Sequence, residues 1–372
     1  MLYFHIPFCK QKCSYCNFHF STSLNMKDDM MEAIHKEIDF RSHELFDKHI
    51  KTLYLGGGTP SLLSVDEIKA LLDKSAQYYD FDSEIEITLE ANPDDLNAPF
   101  LKELSKSGVN RLSIGTQSFF EDDLKLMNRA HTSGEAEDSI KRAQDFGLEN
   151  ISIDLIYGSS SMSIWKENLR KAIALQIPHI SSYALTVEPK TALAKWIKDK
   201  VVKAPNEEVQ NEEFYYMSEF LKEQGFIHYE ISNFAKEGFY SRHNSAYWKG
   251  QPYLGFGPSA HSFNGGNVRS WNIANNALYI KGLAENKRNF EEELLSPKDQ
   301  LNELVMIGLR TIWGVDIAKI ESTFSNDLLE EFYHLLKFKK DEGLVIEDAG
   351  HLKIPEEHWF LADGIASDLF LV

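Results

Sequence analysis

Cysteine is scarce in this sequence: 372 residues hold three, and all of them fall at positions 9, 13 and 16. Positive charge is also in short supply, with 39 Lys and Arg against 57 Asp and Glu, a formal net charge of -18. No apolar run reaches membrane-spanning length, and no basic-then-apolar leader opens the chain. Three crowded cysteines make a poor disulfide framework, and a reducing cytosol keeps them as thiols. A net acid surface repels nucleic acid and anionic membrane as bulk partners. The sequence therefore reads as a cytoplasmic protein with no integral membrane segment. The length suits two domains, or one large α/β domain with a smaller appendage.

What is present is a rhythm. "LYFHI" (2–6), "TLYLG" (52–56), "IEITLEA" (85–91), "RLSIGTQ" (111–117), "ISIDLIYG" (151–158) and "HISSYALT" (179–186) read as strands. Helical patterns at 27–46, 65–78, 97–107, 134–146 and 162–175 separate them. Such alternation implies βαβ units and a parallel sheet. Six units are too few for an eight-fold barrel, so the expected architecture is α/β, an open partial (β/α)6 barrel of the TIM type. The polar punctuation clusters. The cysteine loop follows the first strand and "GGGTP" (56–60) the second, while Glu90, Asn92 and Gln117 end the third and fourth, and Asp154 lies in the fifth. In parallel α/β barrels the carboxyl ends of the strands build the active face, so these residues point to one site.

The rhythm breaks after Thr186. A long helix pattern at 207–224 leads into "FIHYEISNFA" (226–235) and then a Gly-, Asn- and aromatic-rich stretch. The expected organisation is a barrel over 1–235, a connecting region over 236–296 and a mainly helical domain over 297–372. The last holds a hairpin pattern, "GLVIEDAGHLKI" (343–354), and resembles a winged helix. Its 7 Lys and Arg against 15 Asp and Glu argue against DNA, leaving a structural or partner-docking role.

Thiolates suit iron–sulfur clusters or zinc. A structural zinc site needs four ligands, and His5 or His19 would have to complete it; a redox pair would use only two of the three cysteines. Three thiolates on a four-iron cluster leave one iron without a protein ligand, an open position for a cofactor or substrate. The spacing C-x3-C-x2-C after a first barrel strand resembles the radical S-adenosylmethionine (SAM) enzymes. There the open iron chelates SAM, and the reduced cluster cleaves it to a 5′-deoxyadenosyl radical. "GGGTP" fits the same reading, since a side-chain-free strand end lets a ligand approach the backbone.

The run "YFHIPFCKQKCSYCNF", "YLGGGTPSLL", "ITLEANPDDL", "RLSIGTQSF", "LMNRAH", "SIDLIYG" and "YALTVEP" resembles, in order, the oxygen-independent coproporphyrinogen III oxidase-like family over nearly the whole chain. The resemblance implies a [4Fe-4S] cluster on Cys9, Cys13 and Cys16. It implies a SAM pocket formed by Tyr3, Gly57, Gly58, Thr59, Glu90, Gln117, Arg129 and Asp154. Two departures separate the chain from the oxidase itself. Phe18 stands where that enzyme has a further cysteine, and the first ligand comes at residue 9, without the oxidase's N-terminal extension.

Both departures resemble the HemW group of heme chaperones within that family, as does "HNSAYW" (243–248), which fits its HNxxYW pattern. His243 is then a candidate axial ligand to heme iron, with Tyr247 and Trp248 as flat apolar surface against the macrocycle. The bland alternative is a structural loop in which His243 satisfies a hydrogen bond. "YEISNFA" and "GPSAHSF" also look like this group, and His261 is a second ligand candidate. The resemblance implies a chaperone without coproporphyrinogen oxidase activity, carrying heme to acceptor hemoproteins of the respiratory chain, cluster-linked homodimerisation and a peripheral encounter at the membrane. The alternative is the enzyme: oxidative decarboxylation of the two propionates of coproporphyrinogen III to vinyl groups. A zinc-binding interaction protein is a third reading.

Overall fold

Along each of the first six strands apolar and polar side chains alternate, and a computed structural model, which describes residues 1–372, turns that alternation into an open barrel. The strands are β1 (Leu2–Ile6), β2 (His49–Gly57), β3 (Asp80–Ala91), β4 (Arg111–Gln117), β5 (Ile151–Tyr157) and β6 (His179–Ala184). Each pairs in parallel with the next. Helices Lys27–Arg41, Val65–Ala76, Ala98–Leu104, Ser133–Asp145 and Met162–Ala174 supply the crossovers. Their starts are written locally: Ser64 with Glu67, and Thr132 with Glu135, form capping boxes.

Leu2, Phe4, Ile6, Leu53, Leu55, Leu89, Leu112, Ile114, Ile153 and Leu155 are fully buried in one continuous core. Each such side chain contributes about 1.5–3 kcal/mol through burial. The alternate positions are polar: Tyr3 and His5 on β1, Thr52 and Tyr54 on β2, Thr88 and Glu90 on β3, Arg111 and Ser113 on β4, Ser152 and Asp154 on β5, and His179 and Ser181 on β6. These face the barrel interior and bond one another, as Ser152 does with His179 (2.6 Å) and His179 with Tyr229 (2.7 Å). Closed barrels pack that space with apolar layers. A polar interior instead suits a cleft that holds a ligand.

The sheet is longer than the six-strand rhythm. β7 (Ile227–Glu230) and β8 (Asn233–Ala235) form a hairpin that adds antiparallel to β6. At the other end β9 (Leu254–Phe256) pairs in parallel with β1. The order is therefore β7-β8-β6-β5-β4-β3-β2-β1-β9, and the two ends do not pair. The stretch expected as a connection thus supplies a strand of the main sheet. It also makes a separate three-stranded sheet, β10 (His261–Phe263), β11 (Val268–Asn272) and β12 (Phe290–Leu294).

The C-terminal unit runs helix Pro297–Leu309, β13 (Val315–Asp316), helices Ile317–Thr323 and Asn326–Asp341, then the hairpin β14 (Ile346–Asp348) and β15 (His351–Lys353). This is the helix–strand–helix–helix–hairpin order of a winged helix, as the sequence implied. It docks on the barrel through helix Glu207–Glu223, where the Tyr215 hydroxyl donates to the Glu357 carbonyl (2.6 Å), and through Trp359 edge-on to His228 (4.5 Å). No helix is long and apolar enough to cross a membrane.

Candidate functional site

The loop after β1 carries the three cysteines and is tied down along its length. The Cys9 amide donates to the Ser21 carbonyl (3.0 Å), and Ser14 donates from its amide to Met127 (3.0 Å) and from its hydroxyl to Leu126 (2.7 Å). Asn128, held in the left-handed region at φ 53°, donates to the Lys12 carbonyl (2.7 Å) and accepts from Gln11 (2.9 Å). The loop is thus anchored to the segment after β4 before any ligand enters.

All three cysteines border a cavity of about 510 Å3 at the carboxyl ends of the strands. Of the three cluster and eight SAM positions that the resemblance implies, ten line it: Cys9, Cys13, Cys16, Gly57, Gly58, Thr59, Glu90, Gln117, Arg129 and Asp154. Tyr3 and His243 are not among them. Tyr3 lies one layer deeper, stacked on Tyr54 (6.1 Å between ring centroids) with its hydroxyl 3.2 Å from His5 Nδ1.

Local backbone explains several placements. Gly57 adopts φ +109°, and a Cβ there would lie 2.5 Å from His5 Nδ1; a Cβ on Gly58 would lie 2.5 Å from the Phe8 carbonyl oxygen. Only glycine lets β2 pass this close to the cysteine loop. Gln117 sits at φ 64° beside a register shift between β4 and β5, so the strand end is bent into the cavity. A non-glycine residue held there costs about 1–3 kcal/mol.

The charged groups form a connected wall. Arg129 donates to Cys13 Sγ (3.2 Å), to Asn92 Oδ1 (2.6 Å) and to the Gly115 carbonyl (2.7 Å). Asn92 in turn donates to Thr59 Oγ1 (3.2 Å). Glu90 accepts from the Tyr54 hydroxyl (2.8 Å) and the Gly57 amide (3.1 Å). Burial pushes its carboxyl up to about 7, with the negative charge of Asp154 adding to the rise. Burial likewise lifts Asp154 to about 6 against the guanidinium charges of Arg111 and Arg129. Burial raises the Cys9 thiol to about 11, whereas a coordinating metal would deprotonate it outright.

The donor set therefore fits the cluster and cofactor that the motifs imply. Three thiols share one cavity, a guanidinium already touches one sulfur, and two carboxyls poised near neutrality face a space where a cationic ligand would hold them ionised.

Sequence reasoning missed Tyr15, Ser113 and Tyr183, which also line the cavity, and Arg111 beneath it. Ser113 and Tyr183 occupy inward positions of β4 and β6, so the period-2 pattern held the signal. Arg111 was legible as a charge in a strand whose neighbours Leu112 and Ile114 face outward; it is 2 % exposed and its Nε has no partner. Phe18 borders the cavity mouth and is 69 % exposed.

His243 is the second residue of the helix Arg242–Trp248, whose first amides bind the Glu86 carboxylate (3.0 and 2.9 Å). Its imidazole is 1 % exposed. Nδ1 pairs with the Thr52 hydroxyl (2.8 Å) and Nε2 with the Tyr247 hydroxyl (2.9 Å). Burial pushes the ring down to about 3, so it is neutral. Tyr54 packs against it (5.1 Å). Tyr247 is edge-on to both His243 (4.9 Å) and Tyr253 (4.7 Å), and Arg310 stacks on Trp248 (5.2 Å). In this arrangement the motif props up Tyr54, and through it Glu90.

Comparison with known proteins places these features in a family. Residues 3–185 match the model of the radical SAM superfamily, and residues 295–361 that of the HemN C-terminal domain. The heme chaperone HemW of Lactococcus lactis is 36 % identical over 99 % of this chain and 97 % of its own length. HemW of Bacillus subtilis is 34 % identical over 92 % of both chains. Among solved structures, coproporphyrinogen III oxidase (HemN) from Escherichia coli superimposes with a TM-score of 0.85 at 24 % identity, covering 99 % of this chain and 89 % of that one, a likeness of fold.

Proposed function

Because the chain belongs to the HemW family of the radical SAM superfamily, we propose that it is a heme chaperone: it binds heme and delivers it to acceptor hemoproteins. The observation that carries the reading is the chain-long similarity to heme chaperones joined to a cavity in which the motif cysteines and the pocket residues converge. In this reading Cys9, Cys13 and Cys16 hold a 4Fe-4S cluster, and Gly57, Gly58, Thr59, Glu90, Gln117, Arg129 and Asp154 line SAM, with Tyr3 supporting from below. The cluster supplies, when bound, an open iron for SAM and the capacity to reduce it.

The chain's own residues do the positioning. Arg129 orients Cys13 and, through Asn92, Thr59. Tyr54 and the Gly57 amide fix the Glu90 carboxyl, so that it and Asp154 present negative charge toward a sulfonium without side-chain rearrangement. Ile156, Leu185 and Phe20 give the cavity apolar walls that limit water. Handover to respiratory-chain acceptors and homodimerisation belong to the same reading, as does a cytoplasmic site of action.

The test is an anaerobic incubation of cluster-reconstituted protein with coproporphyrinogen III and SAM, beside a hemin titration. The expected result is saturable hemin binding and no vinyl product. Decarboxylation with no saturable hemin binding would make the chain an oxidase instead.

A further inference from the structure

His243 offers heme iron no free nitrogen, since both ring atoms are bonded inside the barrel wall. A second histidine in the same region is placed differently. His261 is exposed on β10, and the antiparallel register sets it directly opposite Trp271 on β11. The two rings stack, with centroids 5.7 Å apart and planes 27° apart. The next row of the same face carries Phe263 opposite Arg269, and Tyr253 bridges to Phe263 from the other side. One face thus presents an imidazole, an indole, a phenyl, a phenol and a guanidinium, with the Glu291 and Glu293 carboxylates of β12 opposite Trp271 and Arg269.

We propose that the heme iron is carried by His261 on this outer face of the β10–β12 sheet, and that His243 is a positioning residue for the Tyr54–Glu90 wall of the neighbouring cavity. The proposal rests on the heme-chaperone reading and locates its cargo site.

Four observations support it. Both ring nitrogens of His261 are without a hydrogen-bonding protein group, and the charge acting on the ring is that of Arg269. Partial burial, with the charge of Arg269 adding to it, lowers its proton affinity, favouring the neutral imidazole that binds metal. Stacking on Trp271 fixes the ring plane, as a ligand site requires. The opposite face of the sheet is locked down. Arg41 donates to the Ser262 hydroxyl (3.0 Å), Asn272 donates to Glu37 (2.7 Å), and Arg288 donates to Ser270 (3.2 Å).

Charge suits the cargo at one position. Arg269 pairs with Glu303 and loosely with Glu293 (3.9 Å), and a heme propionate can replace the looser partner. Two other exposed histidines lack this setting: His49 is bonded to Asp82 (2.9 Å), and His334 meets a single aromatic, Phe338, beside Glu330 and Glu331. His261 also lies within electrostatic reach of His5, whose Nε2 bonds the His19 carbonyl of the cysteine loop (2.9 Å).

The experiment is an anaerobic hemin titration of the cluster-reconstituted full chain, followed in the Soret region, with His261→Ala and His243→Ala in parallel. Cluster absorbance and SAM binding report folding of the His261 variant. The expected result is a shifted Soret band and at least about 10-fold weaker hemin binding in His261→Ala, as for loss of a group governing metal affinity. Added imidazole should return the band to its wild-type position, while His243→Ala keeps the wild-type band. A wild-type band in His261→Ala, or its loss in His243→Ala alone, overturns the assignment and leaves the chaperone reading standing. Absence of saturable hemin binding by the wild-type protein overturns the chaperone reading itself, and this assignment with it.

Discussion

Replacing Glu90 by Gln separates the charge of the cavity from its shape. The amide keeps an oxygen to accept from Tyr54 or from the Gly57 amide, so the wall stays bonded while the ionisable group disappears. Burial raises the carboxyl from 4.5 to about 7, a rise worth about 3 kcal/mol. The sign follows from proton counting. Between those values the unfolded chain has already lost the proton and the native state still holds it, so native stability falls as pH rises through the window. The penalty is absent below 4.5 and complete above about 7. Urea unfolding of cluster-free wild-type and Glu90→Gln protein across this range is the assay. The variant should gain on the wild type progressively, by up to about 3 kcal/mol at pH 8, with no gain at the acid end. In the loaded protein the same substitution should weaken SAM binding, because a sulfonium loses a carboxylate partner. A stability difference that does not change with pH would refute the claim that Glu90 is held in a desolvated wall.

Three other outcomes follow from the same geometry. Cys13→Ala should abolish cluster assembly, read as iron and sulfide content after reconstitution; a full complement of iron in the variant would sink the ligand assignment. Glu37→Ala should cost about 3–5 kcal/mol, because it removes one of the two carboxylates paired with the buried Arg41 guanidinium, Glu44 being the other, and takes the acceptor from buried donors around it. Glu37 also accepts from Arg41 (2.9 Å), the Gly257 amide (2.8 Å) and Asn272 (2.7 Å), so a loss below about 1 kcal/mol in urea unfolding would contradict its role. Acid should destabilise the protein through His5 and His131, pushed down to about 4, and His228 and His243, pushed down to about 3, in each case chiefly by burial. Their contribution is intact above 6.5 and lost as pH falls below it, since the unfolded chain takes up protons first. Amide protection factors, corrected for the pH dependence of intrinsic exchange, that stay unchanged between pH 7 and 5 would argue against it.

Much of the barrel was legible because its strands obey one rule, apolar outward and polar inward, over five residues or more. The cavity was legible for a related reason: its residues stand at strand ends, where polar punctuation interrupts the pattern. The added strand β9 was not, because Leu254–Phe256 is three residues long and owes its conformation to pairing with β1, which lies far away in sequence. Nor was the β10–β12 sheet, whose strands hide among glycines and asparagines. Tyr15, on the loop after β1, reaches the cavity by tertiary placement, with no local pattern to mark it. The HNSAYW motif shows the limit most clearly. Its residue types suit heme, but which way a seven-residue helix turns its histidine is decided by Thr52 and Glu86 on distant strands.

The measurement that tests the central claim most directly is heme transfer. Protein loaded with hemin is mixed with an apo-hemoprotein acceptor, and the rise of the acceptor's own Soret band is followed at increasing acceptor concentration. A chaperone hands over its cargo in a complex, so the account predicts a transfer rate that climbs with acceptor concentration and then saturates. A rate independent of the acceptor, equal to spontaneous release, would contradict it.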